Sequence, residues 1–472
     1  MRPPGDSGRR RSGVPYGQAV AHQVYRYLEP SSLTFDDGSA DVRLATSGGR
    51  QGDERVEHPH FFDGFVGHAE QMAAALLVVA RVARTRFFLP PGMLAAALRR
   101  ADPVVTSNGD RLRFESFSAC AGVYTRLDVL PGALDGPALG TGTTNVDVNP
   151  PLREALARVG SGEALHLAVG CDVTVTTAGA RVTEEKVPLP DRWLKGFAEV
   201  QVAGATMRPV LQLGPTEARR FVRSLPPASS TRTAPLWAVA ASGGARLTGM
   251  PSSDAVSVPG PERLRVLEPL LRFTSGLCAY APAEAEPGRS AASTWELNMD
   301  DARLVVTLSP EVSRGFSGEG AVLHDLADPR SGDDAELVGA LLAFEPKIDV
   351  VSLAEQTGLG AERVLRALTR LGGAGRVGYD THEGAYFHRE LPYDGAALDQ
   401  LHPRLVEARQ LATAGAVTAT QPGAYRVRSG DLEYVVRDTG AGYRCTCPWY
   451  GKHRDGRGPC KHVLAVRVVT GG

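Results

Sequence analysis

The sequence predicts a multidomain α+β protein, and three observations carry that reading. The chain has 472 residues, a length for two to four domains. Its long middle alternates short β-branched runs with amphipathic stretches and shows no internal repeat. Three of its six cysteines crowd together with a histidine close to the C-terminus. Hydrophobic residues make up 43% and charged residues 22%, the balance of an ordinary globular chain. The formal net charge of −1 gives no electrostatic case for the chain as a whole to bind nucleic acid.

In chain order, residues 1–15 are rich in Pro, Gly, Ser and Arg and are expected to form a disordered basic tail. Residues 16–330 form a mixed α+β body of unassigned function. Its start is weakly patterned, with a loose Gly-rich stretch at 48–52. His58, His60 and His68 lie close together but lack ligand-like companions, so they are not read as a metal cluster. A helix is expected over 69–87, where Met72, Leu76, Val79, Ala83 and Phe87 recur at three- and four-residue steps. Strands are expected at 112–117, 165–169 and 173–177, with 181–187 pairing behind a turn. Asp191 is expected to cap a helix over 193–202, and Thr216 a helix over 217–225. Strands follow at 237–239 and 246–248. A helix over 261–273 has Pro261 in its first turn, and a hairpin joins 295–297 to 303–308 across Asp300-Asp301. The Gly140-Thr-Gly-Thr-Thr and Gly315-Phe-Ser-Gly-Glu-Gly segments lack the endings of phosphate-binding loops and are read as glycine turns.

Residues 333–400 read as a module of three helices and a two-stranded wing. A helix over 335–344 stops at Pro346. Ser352 is expected to cap 353–357, which Gly358 ends. A third helix over 361–371 ends at Gly372-Gly373, and strands at 376–380 and 384–389 follow. This is the order of a winged helix-turn-helix. Val364, Leu365, Leu368 and Leu371 form its inner face, while Arg363, Arg366 and Arg370 align outward. That basic stripe suits DNA phosphates. Ten acidic residues against six basic ones between Asp333 and Glu390 argue the other way, toward a solvated face on a protein-contact module.

Residues 401–472 hold the most specific signal. Cys445-x-Cys447 and Cys460-x-His462 are separated by a twelve-residue loop. Zinc takes four N or S ligands in a tetrahedron, and residues i and i+2 on a strand point the same way. Apolar Val463 to Val466 suggest a short closing helix, with Cys460 before it and His462 in its first turn. His453 is a rival ligand that the short Cys-x-His spacing disfavours. Eleven Lys or Arg stand here against five Asp or Glu. Trp449, Tyr450, Lys452, Arg454 and Arg457 in the loop suit either stacking and phosphate contacts or a protein interface. The basic residues also offset the charge of three thiolates, so the protein interface is the expected use.

The four ligands resemble the SWIM zinc finger pattern, and the hairpin Ala424-Tyr-Arg-Val-Arg-Ser-Gly-Asp-Leu-Glu-Tyr-Val-Val-Arg is similar to the strands that open that module. Phrases such as Asp191-Arg-Trp-Leu-Lys-Gly-Phe-Ala-Glu-Val, Leu308-Ser-Pro-Glu-Val and Phe387-His-Arg-Glu-Leu-Pro-Tyr-Asp resemble the actinobacterial SWIM zinc finger proteins. That resemblance implies one structural Zn2+ and a partner that is protein, DNA or both. It also implies a setting beside a MoxR-type AAA+ ATPase and a von Willebrand A protein.

Cys120, Cys171 and Cys278 stand singly, as small buried residues of a reducing compartment do. No secretory pattern or apolar run of membrane-spanning length is visible. The expected protein is cytoplasmic; with a closed zinc ligand set and no recognised catalytic motif it is read as non-enzymatic, and no small-molecule substrate is identified. An enzyme reading rests only on an active site hidden in residues 60–330, and a DNA-binding regulator using helix and finger together is the remaining alternative.

Overall fold

The body is organised by one long antiparallel sheet. Its strand order runs Met207–Leu213, Gly276–Pro282, Ser293–Met299, Ala302–Leu308, Val123–Val129, Leu112–Phe117, Val104–Asn108, Thr141–Asn145, Gly49–Gln51, Glu54–Val56. This computed structural model describes residues 30–36, 38–46, 49–51, 54–56, 60–88, 102–136, 140–170, 191–227, 235–284, 288–391, 395–440, 442–454 and 456–471. The expected tail at 1–15, His58, Cys171 and the strands at 173–177 and 181–187 lie outside them.

A second sheet places Ser39–Leu44 parallel to Ala164–Val169, with Ser32–Asp36, Phe62–Val66 and Leu134–Asp135 completing it. The helix Ala69–Arg84 carries Met72, Leu76 and Val79 into the same apolar core as Leu112, Phe114, Leu127 and Leu304 of the long sheet. It stops three residues early because Thr85 turns extended and its N–H closes on the Val82 carbonyl.

Several expectations are corrected. The Gly140-Thr-Gly-Thr-Thr segment is no turn: Thr141–Asn145 is a strand paired on both sides, with Val104–Asn108 and Gly49–Gln51. The last of these lies inside the expected loose stretch. Thr216 sits within the helix Pro215–Arg223, which begins at Gly214, whose N–H is bonded by the Glu217 carboxylate at 2.8 Å. The segment Pro261–Leu270 winds as a 3₁₀ helix with Pro269 inside it, in keeping with the N–H that proline lacks. The expected hairpin is present, and Asp301 turns it in the left-handed region at φ 50°.

Toward the C-terminus come the helices Ser331–Gly339, Val350–Thr357 and Ala361–Gly373, then the antiparallel pair Val377–Asp380 and Ala385–His388. Asp349, not Ser352, caps the second helix, accepting from the Val351 and Ser352 amides at 2.9 and 3.2 Å. Gly372 and Gly373 lie inside the third helix rather than after it. A Cβ on Gly372 would occupy the space of the buried Gln201 amide, and one on Gly373 would meet Leu398 at 3.1 Å. Both glycines buy close packing against the rest of the protein.

The hairpin is covered by the long sheet. Asp380 receives Arg126 at 2.9 Å, Arg303 at 3.3 Å and Arg113 at 3.5 Å. Asp128 on the sheet binds Arg126 at 2.8 Å. Phe387 lies under the Arg113 guanidinium at 4.2 Å, and Arg389 pairs with Glu115. All these groups are nearly or wholly buried. Beyond them, the helix Pro403–Thr413 leads into a four-stranded antiparallel sheet ordered Val417–Gln421, Ala424–Ser429, Leu432–Asp438, Tyr443–Cys445, and the chain closes on the helix Lys461–Thr470. Among the described residues, no helix is long and apolar enough to cross a membrane.

Candidate metal centre

Three elements meet at the cysteine cluster. Cys445 ends the last strand of the small sheet. Cys447 begins the helix Pro448–His453, and its sulfur accepts the Tyr450 amide at 3.4 Å. Cys460 begins the helix Lys461–Thr470, and its sulfur accepts the Val463 amide at 3.5 Å. Amide donors at a helix start favour the thiolate form. His462 follows in the first turn of that helix, with Nδ1 3.8 Å from the Cys445 sulfur and its ring against Tyr434 at 4.3 Å.

The four candidate ligand atoms all lie within 4.8 Å of one another. Cys445 is 7% exposed, Cys447 2%, Cys460 1% and His462 4%. A hydrogen bond from Cys445 holds the Cys460 thiol down at about 4; the same bond, with burial, pushes Cys445 far up. Burial raises Cys447 as well. Only a cation lets three buried sulfurs ionise side by side. The donor set, three sulfurs and one imidazole nitrogen in a closed shell, fits one structural zinc ion.

The sulfurs belong to an apolar core that includes Val427, Val436, Leu405, Val463, Leu464 and Val466. Val322, Leu323, Leu326 and Ala198 join that core from outside the finger, so the finger is docked. Arg404 is the clasp. Its guanidinium donates to the carbonyls of Arg457 and Pro459, at 2.6 and 3.0 Å, and to that of Glu319 at 2.9 Å. Gly458, at φ +67°, lies so close to Gly320 that a Cβ would come within 1.9 Å of its carbonyl oxygen. Beneath the clasp, buried Glu199 accepts the Ala321 amide at 3.0 Å. Burial, with Glu319 nearby, raises its carboxyl to about 8. No sequence signal marked Arg404 or Glu199, because their partners lie far away along the chain and most are backbone atoms.

The loop residues divide. Trp449 is half-buried between the guanidiniums of Arg404 at 4.7 Å and Arg457 at 5.0 Å. Tyr450 is half-buried, and Arg457 also donates to the Gly318 carbonyl at 3.3 Å. Lys452 and Arg454 are exposed. His453 packs against Trp449 with the ring centroids 4.5 Å apart and the planes tilted by 50°, and stands outside the cluster. On the helix Ala361–Gly373, Arg363 binds Asp334 at 2.9 Å, Arg366 binds Asp328 at 3.1 Å and Arg370 binds Asp399 at 3.4 Å. The structure thus brings the four ligands together and leaves this arginine stripe apart from them, tied to carboxylates of its own chain.

Residues 439–466 match the family model of the SWIM zinc finger, so a SWIM zinc finger domain stands near the C-terminus and contains all four ligands. No curated protein matches the chain. Among solved structures, it is similar to the Proliferating Cellular Nuclear Antigen from Entamoeba histolytica, at 10% identity over 53% of this chain and 98% of that one, with a TM-score of 0.32. It is similar to the PCNA2-PCNA3 complex from Sulfolobus tokodaii at 6% identity, over 53% of this chain and 100% of that one, with the same TM-score of 0.32. Likeness of that degree supports no inference about fold or function.

Proposed function

We propose that this protein is a non-enzymatic interaction adaptor whose SWIM finger, fixed by a structural zinc, is its partner-binding module. The observation that carries the reading is the closed, buried set of Cys445, Cys447, Cys460 and His462. Four protein ligands leave no position for water or substrate, so the ion's chemistry is to hold the fold. Zinc there pins the sheet, the short helix and the closing helix to one point, and the finger core is continuous with apolar residues of the body. A surface presented this way loses little ordering entropy on binding.

Residues 333–400 serve this adaptor as a winged-helix-type module of the protein-contact kind. Its outward arginines are engaged with Asp334, Asp328 and Asp399, and its wing is buried against the long sheet. These contacts suit a scaffold better than a recognition helix. The resemblance to actinobacterial SWIM proteins suggests a MoxR-type ATPase or a von Willebrand A protein as the cytoplasmic partner. Capture of the tagged protein from native lysate, with and without nuclease, tests the reading. A partner held by the zinc-loaded protein and lost with Cys460→Ala supports it; indifference to that substitution contradicts it.

A further inference from the structure

Burying an arginine away from any anion strips its charge of water and is strongly unfavourable. Arg113, Arg126, Arg263 and Arg389 are all almost wholly buried. Arg113 and Arg126 meet Asp128 and Asp380, and Arg389 meets Glu115. Arg263 is the exception. It donates to neutral groups: the carbonyls of Pro259, Gly122 and Ser309, each at 2.8 Å, and the Ser309 hydroxyl at 3.0 Å. Among the described residues, no carboxylate stands within salt-bridge distance of it. Burial lowers its guanidinium to about 10, and the groups that work against this are Cys120 first and Glu262 second.

Cys120 lies on the loop between the strands Leu112–Phe117 and Val123–Val129 and is half-buried, not buried as its solitary place in the sequence suggests. A Cβ on Gly122 would stand 3.3 Å from Arg263 Nη1 and 3.6 Å from the Cys120 sulfur, so guanidinium and sulfur flank the same space. Ser118, wholly buried, settles the direction of the next contact. A hydroxyl has two acceptor sites and one proton. The Gly122 and Val123 amides take both acceptor sites, at 3.1 and 3.0 Å. The proton is left for the Cys120 sulfur, 3.4 Å away. That makes the sulfur an acceptor, a role a thiolate fills better than a thiol. Burial pushes this thiol up, but the Ser118 hydroxyl and the amides of Phe87, Gly122 and Phe88 outweigh it and hold the group below its ordinary value. Buried Ala121, at φ 54°, receives the Phe316 amide on its carbonyl at 2.7 Å, which fixes the loop and its donors around the sulfur.

We propose that Cys120 is a reactive thiolate, with Arg263 as its counter-ion, and the site at which a small disulfide modifies this protein. The chemistry is exchange. The Cys120 sulfur attacks one sulfur of the disulfide, whose S–S bond breaks as a new one forms to Cys120. The other half leaves as a thiolate and takes a proton from water. The disulfide is itself the oxidant, so no further reactant is needed. Cys278 is a poor rival, because it is buried and burial raises its thiol. Cys445, Cys447 and Cys460 are buried in the zinc cluster. Cys120 lies outside that cluster, and its reactivity stands or falls independently of the adaptor reading.

The test uses the full-length, zinc-loaded protein. Iodoacetamide alkylation is followed from about pH 6 to about pH 10, with the rate at each cysteine read by peptide mass spectrometry. The Cys120 rate should reach half its plateau below ~8.5, the ordinary thiol value. Near neutral pH, 2,2′-dithiodipyridine should tag Cys120 before any other cysteine. Arg263→Gln should move the half-point upward and slow the tagging at least ~3-fold. Arg263→Lys keeps the charge and should retain most of the parent's rate. Cys120→Ser should lose the tag while zinc content and melting match the parent. A parental half-point at or above ~8.5 overturns the assignment by itself, whether or not the arginine variants fold. So does a tag that goes first to another cysteine. So does an Arg263→Gln protein that melts like the parent and keeps its half-point.

Discussion

At the scale of single residues, the zinc ligands and the buried acid beneath the finger make separable predictions. Cys460→Ala removes a ligand and the sulfur that begins the closing helix. Because site formation and local folding are coupled, it should abolish zinc retention. Proteolysis should then open residues after about 424 while leaving the body intact. Full zinc content in that variant, measured by mass spectrometry of the metal, contradicts the ligand assignment. Glu199 makes a pH prediction. Its carboxyl is raised from 4.5 to about 8 by burial first, then by Glu319. The folded state therefore binds a proton that the unfolded chain releases near 4.5. The stability this supplies is full below 4.5 and drains away as pH rises to about 8, by up to ~1.4 kcal/mol per unit crossed. Glu199→Gln keeps an acceptor for the Ala321 amide and cannot ionise. Thermal melting should be flatter across that window for the variant, and its midpoint higher than the parent's at pH 8. A parallel pair of pH profiles contradicts this account of Glu199.

At the scale of elements, the finger loop is held by backbone contacts that a small substitution can break. Gly458→Ala faces both a left-handed φ, costing ~1–2 kcal/mol, and a clash with the Gly320 backbone. It should release the loop, so trypsin cleaves after Arg454 and Arg457 faster, while zinc stays at one per chain. An unchanged cleavage rate contradicts the docked loop. The same scale shows what could be read from residue order. The four ligands were legible because metal chemistry limits spacing and residue type so tightly. The three helices after residue 330 were legible through periodicity, but not in detail: the first spans Ser331–Gly339 instead of 335–344, Leu365 is exposed while Val364, Leu368 and Leu371 face inward, Asp349 takes the role expected of Ser352, and Gly372-Gly373 continue a helix they were expected to end. Glycine there answers to Gln201 and Leu398, which sequence spacing does not display. Thr141–Asn145 read as a glycine turn because its strand pairing depends on two segments distant in the chain.

At the scale of the whole molecule, a buried ionic layer ties the hairpin after the third helix to the long sheet. Arg113 and Glu115 alternate with apolar residues on one strand, as do Arg126 and Asp128 on the next, a pattern that reads as a solvated face. Both strands are instead buried on both sides, because the hairpin brings Asp380, Phe387 and Arg389 over them. Asp380 faces Arg113, Arg126 and Arg303 at once, and these guanidiniums hold its carboxyl well below the usual range. Asp380→Asn leaves buried positive charge without its partner and should cost about 3–5 kcal/mol in denaturant unfolding; a loss under about 1 kcal/mol would contradict a structural layer. Body, hairpin and finger thus form one continuous scaffold, and its end is set by the metal. The most direct test of that central claim is zinc X-ray absorption on the purified full-length protein, alongside metal counting. The account predicts one zinc per chain, with three sulfurs at about 2.3 Å and one nitrogen at about 2.0–2.1 Å. A first shell with fewer than three sulfurs, or with an oxygen from water in place of the histidine, would contradict it.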